Sequence, residues 1–233
     1  MKQRRLFKDV VAPVVALSLG LAGAAVAAAP DAYVRRLEVL ALLQTLNADL
    51  LSHDSATAVL QTWCDAHGPG GLKMVAQRVR GQDKPLPPEA KAALGQGLGG
   101  DAAGQTVRYR RVLLACGDRV LSEADNWYLP ARLTPEMNRQ LDQTETPFGV
   151  AVKALNFRRR NLSATLVFEP LARGWENAPV GRIKPPEIPP QVLEHTAVLS
   201  TPDGAPFSYV IETYTGQTLT MAMPKPVPGG FWR

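Results

Sequence analysis

The stretch from Val107 to Gly149 constrains the rest of the chain most. It alternates apolar and polar residues, breaks at Gly117-Asp118, and alternates again to Tyr128. Thr134-Pro135-Glu136 then opens a helix, and Thr146-Pro147-Phe148-Gly149 follows as a short loop. A period of two requires extended strands, and the tight break between them predicts an antiparallel hairpin with one face buried. Thr134 as N-cap with Pro135 at the first helical position predicts a helix to about Thr144. In the first strand Val107, Tyr109, Arg111 and Leu113 share one face, and Arg108, Arg110, Val112 and Leu114 share the other. We read the first set as the inner one. That places Arg111 among apolar neighbours, where a guanidinium is costly unless something anionic meets it.

Helical signals come first in the chain and hairpin signals later. Val34, Leu37, Leu40, Ala41, Leu43, Leu46 and Leu50 recur at helical spacing to about Leu51. After His53-Asp54-Ser55, where Asp54 or Ser55 suits an N-cap, a second helix is predicted from Ala56 to His67, with Gly68 at its end. Lys73 to Val79 reads as a strand, and residues 81–105 as a loop-rich insertion with a short helix over Glu89–Leu94. Val150 to Phe168 mixes helix and strand signals, and Arg173 to Pro190 is a Pro-rich surface loop. Glu194–Thr201 and Pro206–Thr215 form a second hairpin around Pro202-Asp203-Gly204. Without βαβ alternation, the expected class is α+β, an antiparallel sheet flanked by helices. One domain is expected over residues 31–223, with a Pro- and Gly-rich tail at 224–233 that Phe231 and Trp232 either pin or leave frayed.

The N-terminus accounts for most of the net charge. Of the formal +5, Lys2, Arg4, Arg5 and Lys8 against Asp9 place +3 in the first 27 residues, and the remainder is close to neutral. That balance, with 6% aromatic residues, argues against a nucleic-acid partner and against a membrane surface once the N-terminus is removed. A basic segment, an apolar Val10–Val26 run and Ala25-Val26-Ala27 predict a cleaved signal peptide over residues 1–27, hence a periplasmic or secreted protein. Arg4-Arg5-Leu6-Phe7-Lys8 also resembles a twin-arginine export signal. In an oxidising compartment Cys64 and Cys116 would pair; otherwise they are two buried thiols. Three scattered histidines and no Cys-x-x-Cys give no reason to expect a metal or a cofactor. A monomer is expected.

Three polar residues carry the chemical reading. Arg111 is the first. Glu212 shares a strand face with Ser208, Val210 and Tyr214, and Asn126 shares one with Ala124 and Tyr128. An arginine and a carboxylate in one sheet form either a structural ion pair or a pocket. In the pocket, Arg111 would grip a substrate carboxylate bidentately, and Glu212, its pKa raised by burial, would move a proton.

In order, Arg-x-x-Leu-Leu from Arg111, a strand ending at Pro130, a helix, Thr-Pro-Phe-Gly and a late Glu-x-Tyr at Glu212 resemble the chorismate pyruvate-lyase family. The family's wider superfamily includes the effector-sensing domains of some transcription regulators. Leu50-Leu51-Ser52-His53-Asp54-Ser55-Ala56-Thr57 is similar to the family's Leu-Leu-x-x-Asp-Ser-x-Thr segment. The resemblance covers roughly Leu37 to Tyr214. It implies helices and an antiparallel sheet around an enclosed pocket, and removal of pyruvate from chorismate to give 4-hydroxybenzoate without metal or cofactor. Carried over, Arg111 would hold the ring carboxylate, Phe148 and the Gly149 backbone would line the wall, and Glu212 would contact the ring oxygen and assist proton transfer. Arg160 matches the family's next arginine. Glu194-His195-Thr196 stands where the family has paired arginines, making His195 the residue to test there.

Two functions follow: an exported lyase acting on chorismate or a related enol-ether acid, and a non-catalytic binding module for a small aromatic carboxylic acid. An envelope protein without a ligand is the third. No helix-turn-helix signal precedes the domain, which disfavours a transcription regulator.

Overall fold

The computed structural model describes residues 28–95, 106–179 and 183–223. The expected signal peptide and the tail from residue 224 lie outside the described residues. One antiparallel sheet of six strands organises the rest, in the order β1-β2-β3-β6-β5-β4. In chain order the strands are β1 (Met74–Val79), β2 (Arg108–Cys116), β3 (Arg119–Tyr128), β4 (Arg158–Leu166), β5 (Gln191–Ser200) and β6 (Pro206–Thr215). The helices are α1 (Ala28–Ser52), α2 (Ala56–His67), α3 (Pro88–Gly95), α4 (Pro135–Gln143), α5 (Phe148–Ala151) and α6 (Gln217–Ala222). The protein is therefore α+β, an antiparallel sheet with helices on its faces.

Local sequence explains the elements. Ser55 caps α2, its side chain accepting from the Ala58 amide, and Thr134 caps α4 by accepting from Met137, with Pro135 at the first position. In α1 the buried stripe is Val39, Leu43, Leu46 and Leu50; Val34, expected on that stripe, is 50% exposed. The ambiguous stretch after Val150 resolves into α5, a 3-10 turn at Lys153–Leu155 and then β4.

The helices α1, α2 and α6 pack on the inner sheet face through Leu46, Leu60, Trp63 and Leu219 against Leu114, Leu193 and Tyr214. Trp63 donates to the Thr218 carbonyl at 2.9 Å. The helix α3 covers part of the outer face, where Ala90 and Leu94 meet Trp127, Val198 and Tyr209. Cys64 of α2 and Cys116 at the end of β2 form a disulfide with Cα atoms 5.9 Å apart. Their separation of 52 residues means the bond lowers unfolded-chain entropy by the equivalent of about 4 kcal/mol.

Candidate ligand cavity

Strand register decides which side chains meet. Directly opposite residues in an antiparallel sheet share a face, so the pairings define rungs on the inner surface. One rung runs Arg110, Asn126, Val210, Ala197, and the next runs Val112, Ala124, Glu212, His195. A rung on the other side of the first runs Arg108, Tyr128, Ser208, Leu199, Arg159.

Arg111 is not on this surface. The turn Gly117-Asp118 pairs Cys116 with Arg119 and Ala115 with Val120, and continued evenly this register would set Arg111 opposite Ala124. Instead the register shifts between Leu114 and Ala115: Leu114 pairs with Ser122, and Leu121 is the extra residue. A bulge of one residue reverses face parity beyond it. Arg110 therefore joins Asn126 and Ala124 inside, and Arg111 lies opposite Asp125 on the outer face. There it binds Glu123 at 2.9 Å and Asp125 at 3.6 Å. The expectation that Arg111 points inward is corrected to Arg110. The same parity separates the arginines of β4. Arg159 faces inward, whereas Arg160 pairs with Val198, whose side chain packs in the outer cluster.

Between the inner face, the start of α2 and the α5 turn lies a cavity with about 500 Å³ of space free of protein atoms, its open mouth included. Arg110, Asn126 and Glu212 reach it from the sheet, Phe148 and Gly149 from α5, Thr57 from α2, and Arg159 from β4. Of the residues singled out in the sequence, Asn126, Phe148, Gly149 and Glu212 meet here, and Arg111 and Arg160 do not.

Arg110 is 3% exposed. Its Nη2 donates to the Thr146 carbonyl at 3.1 Å, while its Nε is buried with no partner. Among the described residues no carboxylate forms an ion pair with it. Burial, and then the nearby Arg78 cation, push its pKa down to about 10, so the guanidinium remains charged at neutral pH. The inner wall thus presents a cation whose donors are largely unspent.

Arg159 is the opposite case. Its side chain is 2% exposed, and its Nη2 donates to Glu212 Oε2 at 2.6 Å. Burial lowers its pKa, but Glu212 and then Tyr214 outweigh that and raise it overall. Tyr214 Oη also donates to Glu212 Oε2 at 3.1 Å, and burial followed by the Glu212 charge holds that phenol well above its usual range. Glu212 is a paired carboxylate in a three-member network; of the two readings the strand pattern left open, the ion pair is found, with Arg159 and not Arg111 as the cation. The Asp54 carboxylate closes the arrangement by accepting from the Arg159 amide at 2.7 Å and from Arg158 at 3.2 Å.

Asn126 is fixed by its neighbour. Ser208 Oγ donates to its Oδ1 at 2.7 Å, which leaves Nδ2 as a further donor at the cavity. Gly149 allows α5 to lie against the start of α2. A Cβ there would fall 3.0 Å from Ser55 Oγ and 3.2 Å from Thr57 Oγ1.

His195 shares the rung of Glu212 but does not line the cavity. It is fully buried beneath α1, with Nε2 2.8 Å from Asn47 Oδ1, Nδ1 unpartnered and its ring packed edge-on to Tyr214. Burial, then the Arg159 charge, lower its pKa to about 4, so it is neutral at neutral pH. Its position is structural, and the assignment to ligand contact is corrected.

Arg110 and Arg159 were not singled out from the sequence, and Asp54 and Thr57 entered there in the Leu-Leu-x-x-Asp-Ser-x-Thr segment, without a site role. The signal for Arg110 was present in the apolar company of Val112 and Leu114, but the bulge at Leu121 leaves no composition mark. Among the described residues no group of His, Cys, Asp and Glu is placed to hold a metal, and no helix is long and apolar enough to cross a membrane.

Fold and cavity together define an α+β protein with a partly enclosed, cation-bearing pocket. No family model matches the chain. Uncharacterized protein y4mC of Sinorhizobium fredii (strain NBRC 101917 / NGR234) is 50% identical over 200 residues, 84% of this chain and 82% of that protein. The chain belongs to the family of y4mC. Among solved structures, the effector domain of PhnF from Mycobacterium smegmatis is similar over 66% of this chain and 88% of its own, at 14% identity and a TM-score of 0.42. For the longer PhnF structure the coverage is 72% and 66%, at 15% identity and a TM-score of 0.44. The possible transcriptional regulator YydK from Bacillus subtilis matches 61% of this chain at 14% identity and a TM-score of 0.36, and the match spans 58% of YydK.

Proposed function

We propose that this protein is an exported module that binds a small carboxylic acid in the cavity, with the acid group on Arg110. The observation that carries this reading is the unpaired guanidinium: a buried cation with an unpartnered Nε and, among the described residues, no acid of its own is costly unless a ligand anion completes it. Asn126 Nδ2 supplies a second donor on the same rung. The Cys64–Cys116 disulfide supports export, because such bonds persist in oxidising compartments. The basic and then apolar first 27 residues point the same way.

Binding is favoured over turnover because Glu212 already has two partners at one oxygen. The lyase reading keeps one specific support. Glu212 lies two strands from Arg110 and one rung along, about 12 Å between Cα positions from standard strand spacing. That separation suits an acid whose carboxylate sits on Arg110 and whose ring oxygen reaches Glu212.

Calorimetric titration of the mature protein with 4-hydroxybenzoate, benzoate and chorismate tests the proposal. Saturable binding lost in Arg110→Met and kept in Arg111→Met is expected. Binding that survives Arg110→Met and disappears in Arg111→Met would refute it. Release of 4-hydroxybenzoate from chorismate, abolished by Glu212→Gln, would move the conclusion to the lyase.

A further inference from the structure

The two edges of the sheet are finished differently. On β1 the free side is taken: the Met74 amide donates to Gln61 Oε1 at 2.9 Å, and the Ala76 amide to the Glu145 carbonyl at 2.8 Å. On β4 only the first half is blunted. Arg158 and Arg160 stand exposed there, the Arg159 amide donates to Asp54, and a bulge falls between Asn161 and Ser163. From Leu162 to Phe168 the chain carries neither charge nor proline, and Leu162, Ser163, Ala164 and Thr165 are all exposed. Leu162 and Val167 are two of the five large exposed hydrophobics among the described residues.

The ladder fixes what the free side offers. Val167 and Phe168 both donate to the Val192 carbonyl, so Val192, Glu194 and Thr196 turn their backbone groups toward β4. Ala164 and Leu166 lie opposite His195 and Leu193, the residues in between. Their N–H and C=O groups therefore point outward, where none of the described residues meets them. An unpaired row of this kind is a template for another strand.

The sequence favours one occupant. Leu162-Ser163-Ala164-Thr165-Leu166 has the same residue character read in either direction. We infer that the β4 edge is a self-association surface. A second copy of this chain adds its own β4 there, antiparallel about a two-fold axis at Ala164, in place of the monomer expected from the sequence. Ala164 then faces its own copy and exchanges backbone hydrogen bonds with it. Ser163 meets the partner's Thr165, and Leu162 meets the partner's Leu166; hydroxyl and apolar pairs of this kind stabilise antiparallel strands. A two-fold contact of this kind uses the same patch on both copies. Charge sets the direction: the antiparallel approach brings the Arg158–Arg160 end of one strand toward Glu169 of the other, whereas a parallel one would set arginines beside arginines. A contact of about five residues per chain buries less than the ~800 Å² per partner of a standard interface, so the dimer is weak and forms as concentration rises.

The test is sedimentation equilibrium of the mature protein from micromolar to millimolar concentration, where the mass rises from one chain toward two. Ala164→Pro removes the outward N–H, leaves the bonds to β5 whole, and holds the protein at one chain. Ala164→Lys and Ala164→Glu, each setting like charges across the axis, do the same alone, and an equal mixture of the two recovers the dimer. In the unmodified protein, hydrogen exchange of the Ala164 and Leu166 amides slows as concentration rises, while that of the Thr165 amide, which faces β5, does not change. A single-chain mass at every concentration would overturn the inference and leave the edge to an extended segment of a different protein. A dimer that survives Ala164→Pro, or that forms without slowing the Ala164 and Leu166 amides, would place the contact elsewhere and overturn it as well.

Discussion

Each of two strands carries adjacent arginines that end in opposite surroundings. In β2, Arg111 lies on the outer face beside two carboxylates, while Arg110 lies inside without one. In β4, Arg160 is outside, and Arg159 is inside with Glu212 as a full partner. Burial raises the cost of an unmatched charge, so the same residue type means different things on the two faces. Outside, an ion pair between partly exposed groups contributes little. Inside, a matched pair is structural, and the unmatched cation is where the proposed ligand would sit.

Removing one member of the inner pair gives the largest effect. Glu212→Ala strands the Arg159 guanidinium and is expected to cost about 3–5 kcal/mol in urea unfolding. The double variant Arg159→Met/Glu212→Leu should recover most of it, and failure to recover would mean the pair does more than satisfy itself. His195 comes next. Its folded pKa of about 4 lies below the ordinary 6.5, so its contribution is complete above pH 6.5 and is lost as pH falls toward 4. We expect about 3 kcal/mol to disappear across that window, and His195→Gln to flatten the difference in unfolding midpoint between pH 7 and 4.5. Arg110→Met reverses the sign: about 1–2 kcal/mol of added stability, since an uncompensated buried cation is replaced by an apolar chain of similar length, with loss of acid binding. A destabilised Arg110→Met would break the contrast between the two β2 arginines. Smallest is Arg111→Met, within about 1 kcal/mol by the same unfolding assay and with binding unchanged.

Much of this was legible along the chain. The cap at Ser55, the Thr134-Pro135 start and the turn at Gly117-Asp118 act over a few residues, so α2, α4 and the first hairpin follow from local chemistry. Glu212 and Asn126, read as inward-facing, are buried on the inner face. Arg111, read the same way, is not, because alternation gives two faces without saying which is inside, and the choice depends on a bulge at Leu121 that has no side-chain signature. His195 was drawn to the site because it stands where the resembled family has paired arginines, and only the position of Asn47 on α1 shows that a helix covers it.

By itself, then, the sequence determined the elements, their order, the α+β class and which residues share a face within each strand. These depend on periods of two and 3.6 residues and on caps within one turn. The tertiary structure decided which arginine is buried, which acid neutralises which cation, and that Cys64 meets Cys116 across 52 residues. Those outcomes depend on register and on contacts between distant segments, where one inserted residue exchanges inside for outside.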